Sequence, residues 1–191
     1  MNEIVIVPAE EAENVICADV LENEVQEMLE LGKKMIEYCY TNGAVGLACP
    51  QIGIKKKMFV YRKTETSFQI IINPTYYPTS KRPIKVLEGC MSLKEKAYMV
   101  SCFKDIQAVG FVWEGGKLTK RGYPLSGNKA IIFQHECRHV GKYNTDDLGQ
   151  TIRQYGVPQI GQKADGELEL KPLVEMTADG TIQEIQEKIN E

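Results

Sequence analysis

Residues 130–141, AIIFQHECRHVG, decide how this chain folds and where its chemistry lies. Ser126 or Asn128 can cap the start of this segment, and its last residue is a glycine, so the segment is predicted to be a helix. The only two histidines of the chain, His135 and His139, stand four residues apart within it. Positions i and i+4 lie on one face of a helix, so both imidazoles can point at a single metal ion.

The two histidines form an HExxH pattern with Glu136 beside the first of them. Glu136 follows His135 by about 100° around the helix, which lets its carboxylate reach a metal-bound water. Cys137 falls roughly opposite the histidines and is predicted to pack in the core. A chance HExxH with two buried histidines is the alternative, but the use of every histidine in the chain favours a metal site.

A catalytic site of this type needs three protein ligands and one open position, so a third ligand must be found. The longer metzincin pattern is excluded, because Lys142 and Thr145 stand where it requires glycine and histidine. A downstream glutamate (Glu167, Glu169 or Glu175) would give a thermolysin-like site. A cysteine is the better candidate, since no helical pattern places these glutamates convincingly.

The composition indicates one folded domain. The chain has 191 residues, of which 43% are hydrophobic and 26% charged, and its formal charge is −3. This balance provides no excess of cations for nucleic-acid phosphates, so nucleic acid is not an expected partner. The first residues do not resemble a secretion signal and no apolar run approaches bilayer length, so we expect a cytoplasmic protein that contacts no membrane. Six cysteines are then expected to be reduced thiols: Cys17, Cys39, Cys49, Cys90, Cys102 and Cys137.

Apolar spacing elsewhere in the chain predicts an α+β fold. Residues 21–40 have the three-and-four spacing of an amphipathic helix that ends at Asn42-Gly43, with Cys39 on its apolar face as a core thiol. Residues 43–53, GAVGLACPQIG, indicate a close-packed loop. Five segments have strand character, separated by Asn-Pro, Pro-Thr-Ser and Glu-Gly-Gly turn signals: residues 57–61, 68–72, 84–87, 105–113 and 117–123.

The C-terminal region gives weaker signals. Residues 150–164 indicate a loop, residues 167–176 a strand and residues 181–189 a short helix. Residues 165–191 include 8 acidic residues and 2 lysines. This charge opposes binding of the tail to RNA phosphates.

Three motifs, taken in their order, resemble those of the peptide deformylase family: GLACPQ at residues 46–51, EGCMS at 88–92 and QHECRH at 134–139. The resemblance covers roughly residues 20–146 and includes the segment Ile72-Asn73-Pro74. It implies one deformylase-like domain over residues 1–191, with a divergent C-terminal region from about residue 147. The implied fold class is α+β, with antiparallel β-sheets packed around a central HExxH-bearing helix and with an N-terminal amphipathic helix.

The resemblance also implies the ligands and the reaction. Cys90 is the third ligand beside His135 and His139, and the single divalent ion is Fe(II), with zinc or nickel able to replace it. Two imidazoles and one thiolate suit such borderline-soft ions. The implied reaction removes the N-formyl group from the N-formylmethionine of newly made polypeptides and releases formate.

Residue roles follow from the same resemblance. Glu136 takes a proton from the metal-bound water and returns it to the leaving amine. The oxyanion is held by the metal, by the Gln51 side-chain amide and by the backbone N–H of Met91. Four residues are expected at the bound peptide, a glycine that allows close backbone approach and three apolar residues that we also expect to face the core: Gly46, Val45, Ile131 and Ile132.

Arg138 is the main departure from the family motif, which has aspartate at this position. We expect its guanidinium to bind a carboxylate, such as that of Glu88, or backbone carbonyls. Two alternatives to a deformylase stay open: a metal-binding relative that has lost turnover and acts as a scaffold, and a small zincin peptidase. Some family members dock on the ribosome through a C-terminal helix, but the acidic tail makes such docking unexpected here.

Overall fold

The computed structural model describes residues 3–12, 15–141, 160–162, 168–170, 174–176 and 182–184. The chain divides into two units. The first comprises Met1–Ile84 and Cys102–Tyr143, and the second comprises Lys85–Ser101 and Asn144–Glu191.

Helices and strands are largely segregated along the described part of the chain, as in an α+β fold: seven strands lie between the second and the third α-helix. The α-helices are α1 (Ala9–Ala12), α2 (Val25–Asn42) and α3 (Asn128–His139) in the part of the chain that the structure describes. The strands in that part are β1 (Gly46–Ala48), β2 (Met58–Thr64), β3 (Ser67–Pro78), β4 (Pro83–Cys90), β5 (Leu93–Phe103), β6 (Asp105–Glu114), β7 (Lys117–Ser126), β8 (Ile160–Gln162), β9 (Leu168–Leu170), β10 (Val174–Met176) and β11 (Ile182–Glu184).

A five-stranded antiparallel sheet of order β1-β2-β3-β6-β7 forms the framework of the first unit. Its β6–β7 hairpin turns at Gly115 and Gly116, which have φ of 56° and 79°. Positive φ at both central residues is the requirement of a two-residue type I′ turn, and glycine meets it without strain. The predicted hairpin is therefore confirmed. Three two-stranded sheets, β4-β5, β8-β9 and β10-β11, complete the described strands.

The two longer helices pack on opposite faces of this sheet. Ile71 belongs to the buried cluster that also contains Phe133 of α3. The next residue back, Ile70, instead contacts Gly32 of α2 so closely that a Cβ there would lie 2.9 Å from Ile70 Cγ1. Because neighbouring strand residues point to opposite faces, α2 and α3 cover different sides of β3.

Helix α2 agrees with its prediction, apart from a 3₁₀ turn at Glu22–Glu24 that precedes it. It ends where Gly43 adopts φ 67° and donates its N–H to the carbonyl of Cys39. This left-handed residue is the usual glycine stop of a helix. The Cys39 side chain is fully buried, as predicted.

Residues 43–53 are not a loop throughout, so that prediction is wrong. Gly46–Ala48 is strand β1, which pairs with β2, and Cys49–Ile52 is a 3₁₀ turn. The Asn73-Pro74 pair lies inside β3 and does not separate two strands. The register of β3 shifts between Ile72 and Thr75, and Asn73 has φ 49°. Its side chain makes two hydrogen bonds with the backbone of Val20, which stabilise this bulge.

The C-terminal predictions have mixed outcomes where residues are described. Ile182–Glu184 is strand β11, so the predicted helix is wrong there, and Ile160–Gln162 is a strand within the predicted loop. The predicted strand at 167–176 contains two short strands, β9 and β10. The remaining residues of these three ranges lie outside the described part of the chain.

Candidate metal centre

Helix α3 is held in place by an aromatic cluster on the sheet. Phe133 packs edge-to-face against Phe59 and Tyr61, with ring centroids 5.1 and 5.6 Å apart. Cys137, one turn further along, is fully buried in the same cluster, as its position on the helix predicts. Burial of these rings removes a large apolar area from water, so this face of the helix is strongly stabilised.

The two histidines of α3 point their Nε2 atoms at one place. These atoms are 3.3 Å apart, and the rings lie at 72° to each other. Two nitrogens bound to one tetrahedral ion at about 2.0–2.1 Å would be separated by about 3.3–3.4 Å. The spacing of His135 and His139 therefore fits a shared metal ion.

Cys90 supplies a third group of the kind that a metal requires. It is the last residue of β4 and is half-buried. One thiolate and two imidazoles are a donor set that suits zinc and iron, so the chemistry of Cys90, His135 and His139 fits the three ligands of a metal ion.

Glu136 lies against the backbone of strand β1. Its side chain is 2% exposed, and a Cβ built on Gly46 would overlap its Oε1 and lie 2.7 Å from its Cδ. We expected glycine at this position because a substrate backbone approaches it. The structure gives a reason within the chain itself: a larger residue at position 46 would displace the carboxylate of Glu136.

Gln51 lies in the 3₁₀ turn that follows β1 and is 2% exposed. Its Oε1 accepts a hydrogen bond of 2.8 Å from the Ala48 N–H. Because a backbone N–H can only donate, this contact fixes which end of the amide is oxygen and which is the Nε2 donor. Strand β1 and its following turn therefore position both Gly46 and Gln51.

The four residues expected at the bound peptide differ in exposure. Val45 is 45% exposed, so its predicted core-facing orientation is wrong. It precedes the edge strand β1, and its carbonyl accepts a hydrogen bond from the Arg62 N–H at 2.8 Å. Ile131 and Ile132 are half-buried on α3, and Ile132 packs against the α3 cluster. In the second unit, Met91 is half-buried in the turn after β4.

Three of the other thiols behave as core residues. The pKa of Cys39 is raised to about 12, mainly by burial and also by the Glu136 carboxylate, while the Arg62 guanidinium opposes the rise. Burial also raises the pKa of Cys17 and of Cys49. Thiols with raised pKa values are protonated near neutral pH and are poor nucleophiles.

Sequence reasoning missed the role of Gln134 and one contact of Arg138. Gln134 is fully buried, and its amide accepts from the Phe103 N–H at 2.9 Å and donates to the Phe103 carbonyl at 2.7 Å. An amide in the apolar run AIIFQ was a signal that a polar partner is needed. Arg138, expected to meet a carboxylate or carbonyl, has its Nη1 3.5 Å from the thiol sulfur of Cys102. No sequence spacing indicates a contact between residues that are 36 positions apart.

Comparison with known proteins agrees with this arrangement. The family model described as polypeptide deformylase matches residues 1–153. The chain belongs to the polypeptide deformylase family. A peptide deformylase of Leptospira biflexa is 33% identical over 146 residues, which are 70% of this chain and 80% of that protein.

Solved deformylase structures have the same fold. A class I type b peptide deformylase from Acinetobacter baumannii matches with a TM-score of 0.67 at 19% identity, over 78% of this chain and 99% of that one. A probable peptide deformylase from Synechococcus phage S-SSM7 matches with a TM-score of 0.64 at 26% identity, over 76% of this chain and 99% of that one. The α+β class with antiparallel sheets and few helices is confirmed.

Membership of the deformylase family establishes the reaction class. The protein is a hydrolase that acts on N-formylmethionyl peptides and removes the formyl group from newly made polypeptides, in a family that depends on a metal. The comparisons favour this activity over a scaffold or a zincin peptidase. Among the described residues, no helix is both long and apolar enough to cross a membrane.

Proposed function

We propose that Cys90, His135 and His139 hold one divalent metal ion and that Glu136 moves the proton during deformylation. One observation carries this proposal: two imidazole Nε2 atoms lie 3.3 Å apart on the helix that also carries a buried Glu136. Metal-assisted hydrolysis needs a carboxylate beside two imidazoles whose nitrogen atoms point at the same place.

The donor set also restricts the identity of the ion. We propose Fe(II) as the ion because the family resemblance implies it. Zinc or nickel could replace it, because imidazole and thiolate ligands suit all three ions. When bound, the ion lowers the pKa of water and polarises the formyl carbonyl. A thiolate ligand reduces the net charge of the site from +2 to +1, a difference that tunes this acidity.

The role of Glu136 is to carry one proton from water to the leaving nitrogen. Its carboxylate takes the proton as the water oxygen bonds to the formyl carbon. It then gives this proton to the methionine nitrogen as the carbon–nitrogen bond breaks, so that formate and a free amino terminus leave. Packing against Gly46 holds the carboxylate in one place for both transfers.

Two donors are proposed to stabilise the charge that develops on the carbonyl oxygen. They are the Nε2 group of Gln51 and the backbone N–H of Met91. The Ala48 N–H already holds Gln51 Oε1 at 2.8 Å, so the amide is oriented before substrate arrives. A donor that is preorganised in this way loses no energy to reorientation during the reaction.

The methionine side chain is proposed to lie against a small apolar surface. Val45, Ile131 and Ile132 are its members, with Gly46 allowing close approach of the peptide backbone. The 45% exposure of Val45 supports this role, because a side chain in the core could not contact a ligand.

The extent of the domain and its setting are part of the same proposal. We assign residues 1–191 to one deformylase-like domain that diverges from about residue 147, and the end of the family match at residue 153 supports this boundary. We propose that the protein works in the cytoplasm, because newly made polypeptides are its substrate and because a thiolate ligand stays reduced there. Nucleic acid, membrane and ribosome docking through the acidic tail are not expected.

Formate release is the test of this function. Protein loaded with Fe(II), zinc or nickel under reducing conditions is given a formyl-Met dipeptide or tripeptide, and formate and free amine are both measured. We expect the two products in equal amounts, and none from the matching acetyl-Met peptide. Metal binding without formate would support the scaffold alternative, and cleavage of an internal peptide bond would support the zincin alternative.

A further inference from the structure

Two residues on one face of α3 contact two consecutive residues of the chain at the end of β5. The Gln134 amide pairs with both the N–H and the carbonyl of Phe103, at 2.9 and 2.7 Å. One helical turn later, Arg138 Nη1 lies 3.5 Å from Cys102 Sγ. We call these four residues the 134/138 clamp.

The start of the helix is attached to the same stretch of chain. Gly127, which precedes α3, donates its N–H to the carbonyl of Lys104 at 2.8 Å. Residues 104, 103 and 102 thus contact the helix in order from its first turn toward its last. Contacts in this order fix both the position of the helix along its axis and its rotation about that axis.

Rotation of α3 decides where the histidines point. Gln134 and Arg138 are four residues apart, so they share one face of the helix. His135 and His139 each follow a clamp residue by one position, which places both imidazoles about 100° around the helix from the clamp. A change in rotation would therefore move the two imidazoles together.

The chemistry of Gln134 suits this task. An amide offers an acceptor and two donors, which match the N–H and C=O of one backbone residue as a neighbouring strand would. The second donor hydrogen reaches the Ala130 carbonyl at 2.9 Å. The Gln134 side chain is fully buried, so without these contacts its own polar atoms would be left unsatisfied inside the protein.

We propose that Gln134 and Arg138 are positioning residues, which hold α3 in the rotation that directs His135 and His139 at one metal ion. Arg138 reaches Cys102 in this chain, where the family motif has an aspartate. The proposal rests on the assignment of the two histidines as ligands under the proposed function. Contacts around a metal ligand commonly change metal affinity by about 10- to 100-fold when they are removed.

Cobalt(II) binding tests the clamp without any substrate. The affinity is measured by competition with a chelator, and the absorption spectrum of the saturated protein gives the ligand geometry. We expect Arg138→Met and Gln134→Met to weaken Co(II) binding about 10- to 100-fold and to change the spectrum at saturation. Lys129→Met is the matched control, because it removes a cation from an exposed position of the same helix and should change neither quantity.

Variants of Cys102 separate the clamp from general destabilisation. Cys102→Ser keeps a polar partner for Arg138 and should bind Co(II) like the parent, whereas Cys102→Val should weaken Co(II) binding, as Arg138→Met does. The double variant, Arg138→Met with Cys102→Val, should lose less affinity than the sum of the two single losses, because the Arg138–Cys102 contact is common to both.

Two outcomes would overturn the proposal. One is an Arg138→Met protein that melts at a lower temperature but keeps the parental Co(II) affinity and spectrum. The other is a double variant whose loss of Co(II) affinity equals the sum of the losses in Arg138→Met and Cys102→Val. A parent that binds Co(II) but releases no formate would contradict the proposed function alone, since neither cobalt measurement depends on the substrate.

Discussion

Gly46 and Glu136 are packed so closely that no Cβ fits between them. A Cβ built on Gly46 would overlap Glu136 Oε1 and lie 2.7 Å from its Cδ. Gly46 begins the edge strand β1 and pairs with Tyr61 of β2, so the sheet fixes its backbone. The position of the strand therefore determines the position of the carboxylate.

Gly46→Ala should reduce the rate of deformylation by about 10²-fold, because a displacement of about 1 Å in a reacting group has an effect of this size. Metal content should stay near the parental value. The measurements are kcat/KM for formate release and bound metal per chain. Gly122→Ala is the control, since its nearest neighbour is the flexible end of Gln107 at 3.2 Å. Parental activity in Gly46→Ala would show that the contact does not position Glu136.

Glu136→Ala should keep its metal and lose about 10²- to 10⁴-fold in rate, the usual effect of removing a general acid–base group. Glu136→Gln keeps the volume of the side chain but cannot accept the proton, so both variants should be impaired to a similar degree. Formate release and metal content are measured for each. Hydrolysis at the parental rate in either variant would contradict the assigned proton transfer.

Cys90→Ala should release the metal or greatly weaken its binding, because two imidazoles alone would remain as protein ligands. Metal per chain is measured after dialysis against a weak chelator. Cys39→Ala is the comparison, since this thiol is fully buried and should leave metal content unchanged. One metal per chain in Cys90→Ala would redirect the search to a carboxylate ligand.

Local sequence patterns were enough to predict the elements that depend on neighbours in the chain. Helix α2, helix α3 and the β6–β7 hairpin were all predicted from apolar spacing and glycine positions. Strand β1 was missed because its three residues are strand only through pairing with β2. The bulge at Asn73 was mistaken for a turn because it is stabilised by Val20, 53 positions earlier.

The candidate site divides in the same way. His135, Glu136 and His139 were found because one helical turn brings them together. The contacts that position them come from distant parts of the chain. Phe103 lies 31 positions from Gln134, and Gly46 meets Glu136 across the fold. No pattern within a single helix contains such information.

Cys39 should make the protein less stable in alkaline solution. Its pKa is raised from 9.0 to about 12 in the fold, mainly by burial, so the unfolded chain releases this proton first as the pH rises. Below about pH 8 the thiol is protonated in both states and has almost no effect on stability. Above it the unfolded state is favoured, by roughly 1 kcal/mol at pH 10.

The measurement is the free energy of unfolding between pH 8 and pH 10, for the parent and for Cys39→Ala. The parent should lose more stability over this range than the variant does, because the variant lacks the titrating thiol. Equal slopes would show that Cys39 ionises as easily in the fold as in the unfolded chain.

Arg138→Asp restores the residue of the family motif, yet we expect it to reduce thermal stability and not to improve activity. Arg138 is half-buried, and its Nη1 lies 3.5 Å from the fully buried Cys102 thiol. The shorter aspartate would lose this contact and place a negative charge where the surroundings accommodate a cation. Loss of about 1–3 kcal/mol in unfolding free energy is typical for such a change.

Melting temperature, formate release and metal content are measured for both forms of the protein. Lys129→Asp is the control, because it makes the same change of charge at an exposed position of α3. The control should keep the parental rate, since the net charge of the helix is not what Arg138 contributes. A clear rise in the rate of Arg138→Asp at equal metal occupancy would show that the arginine impairs the active site, and it would strengthen the scaffold alternative over an efficient enzyme.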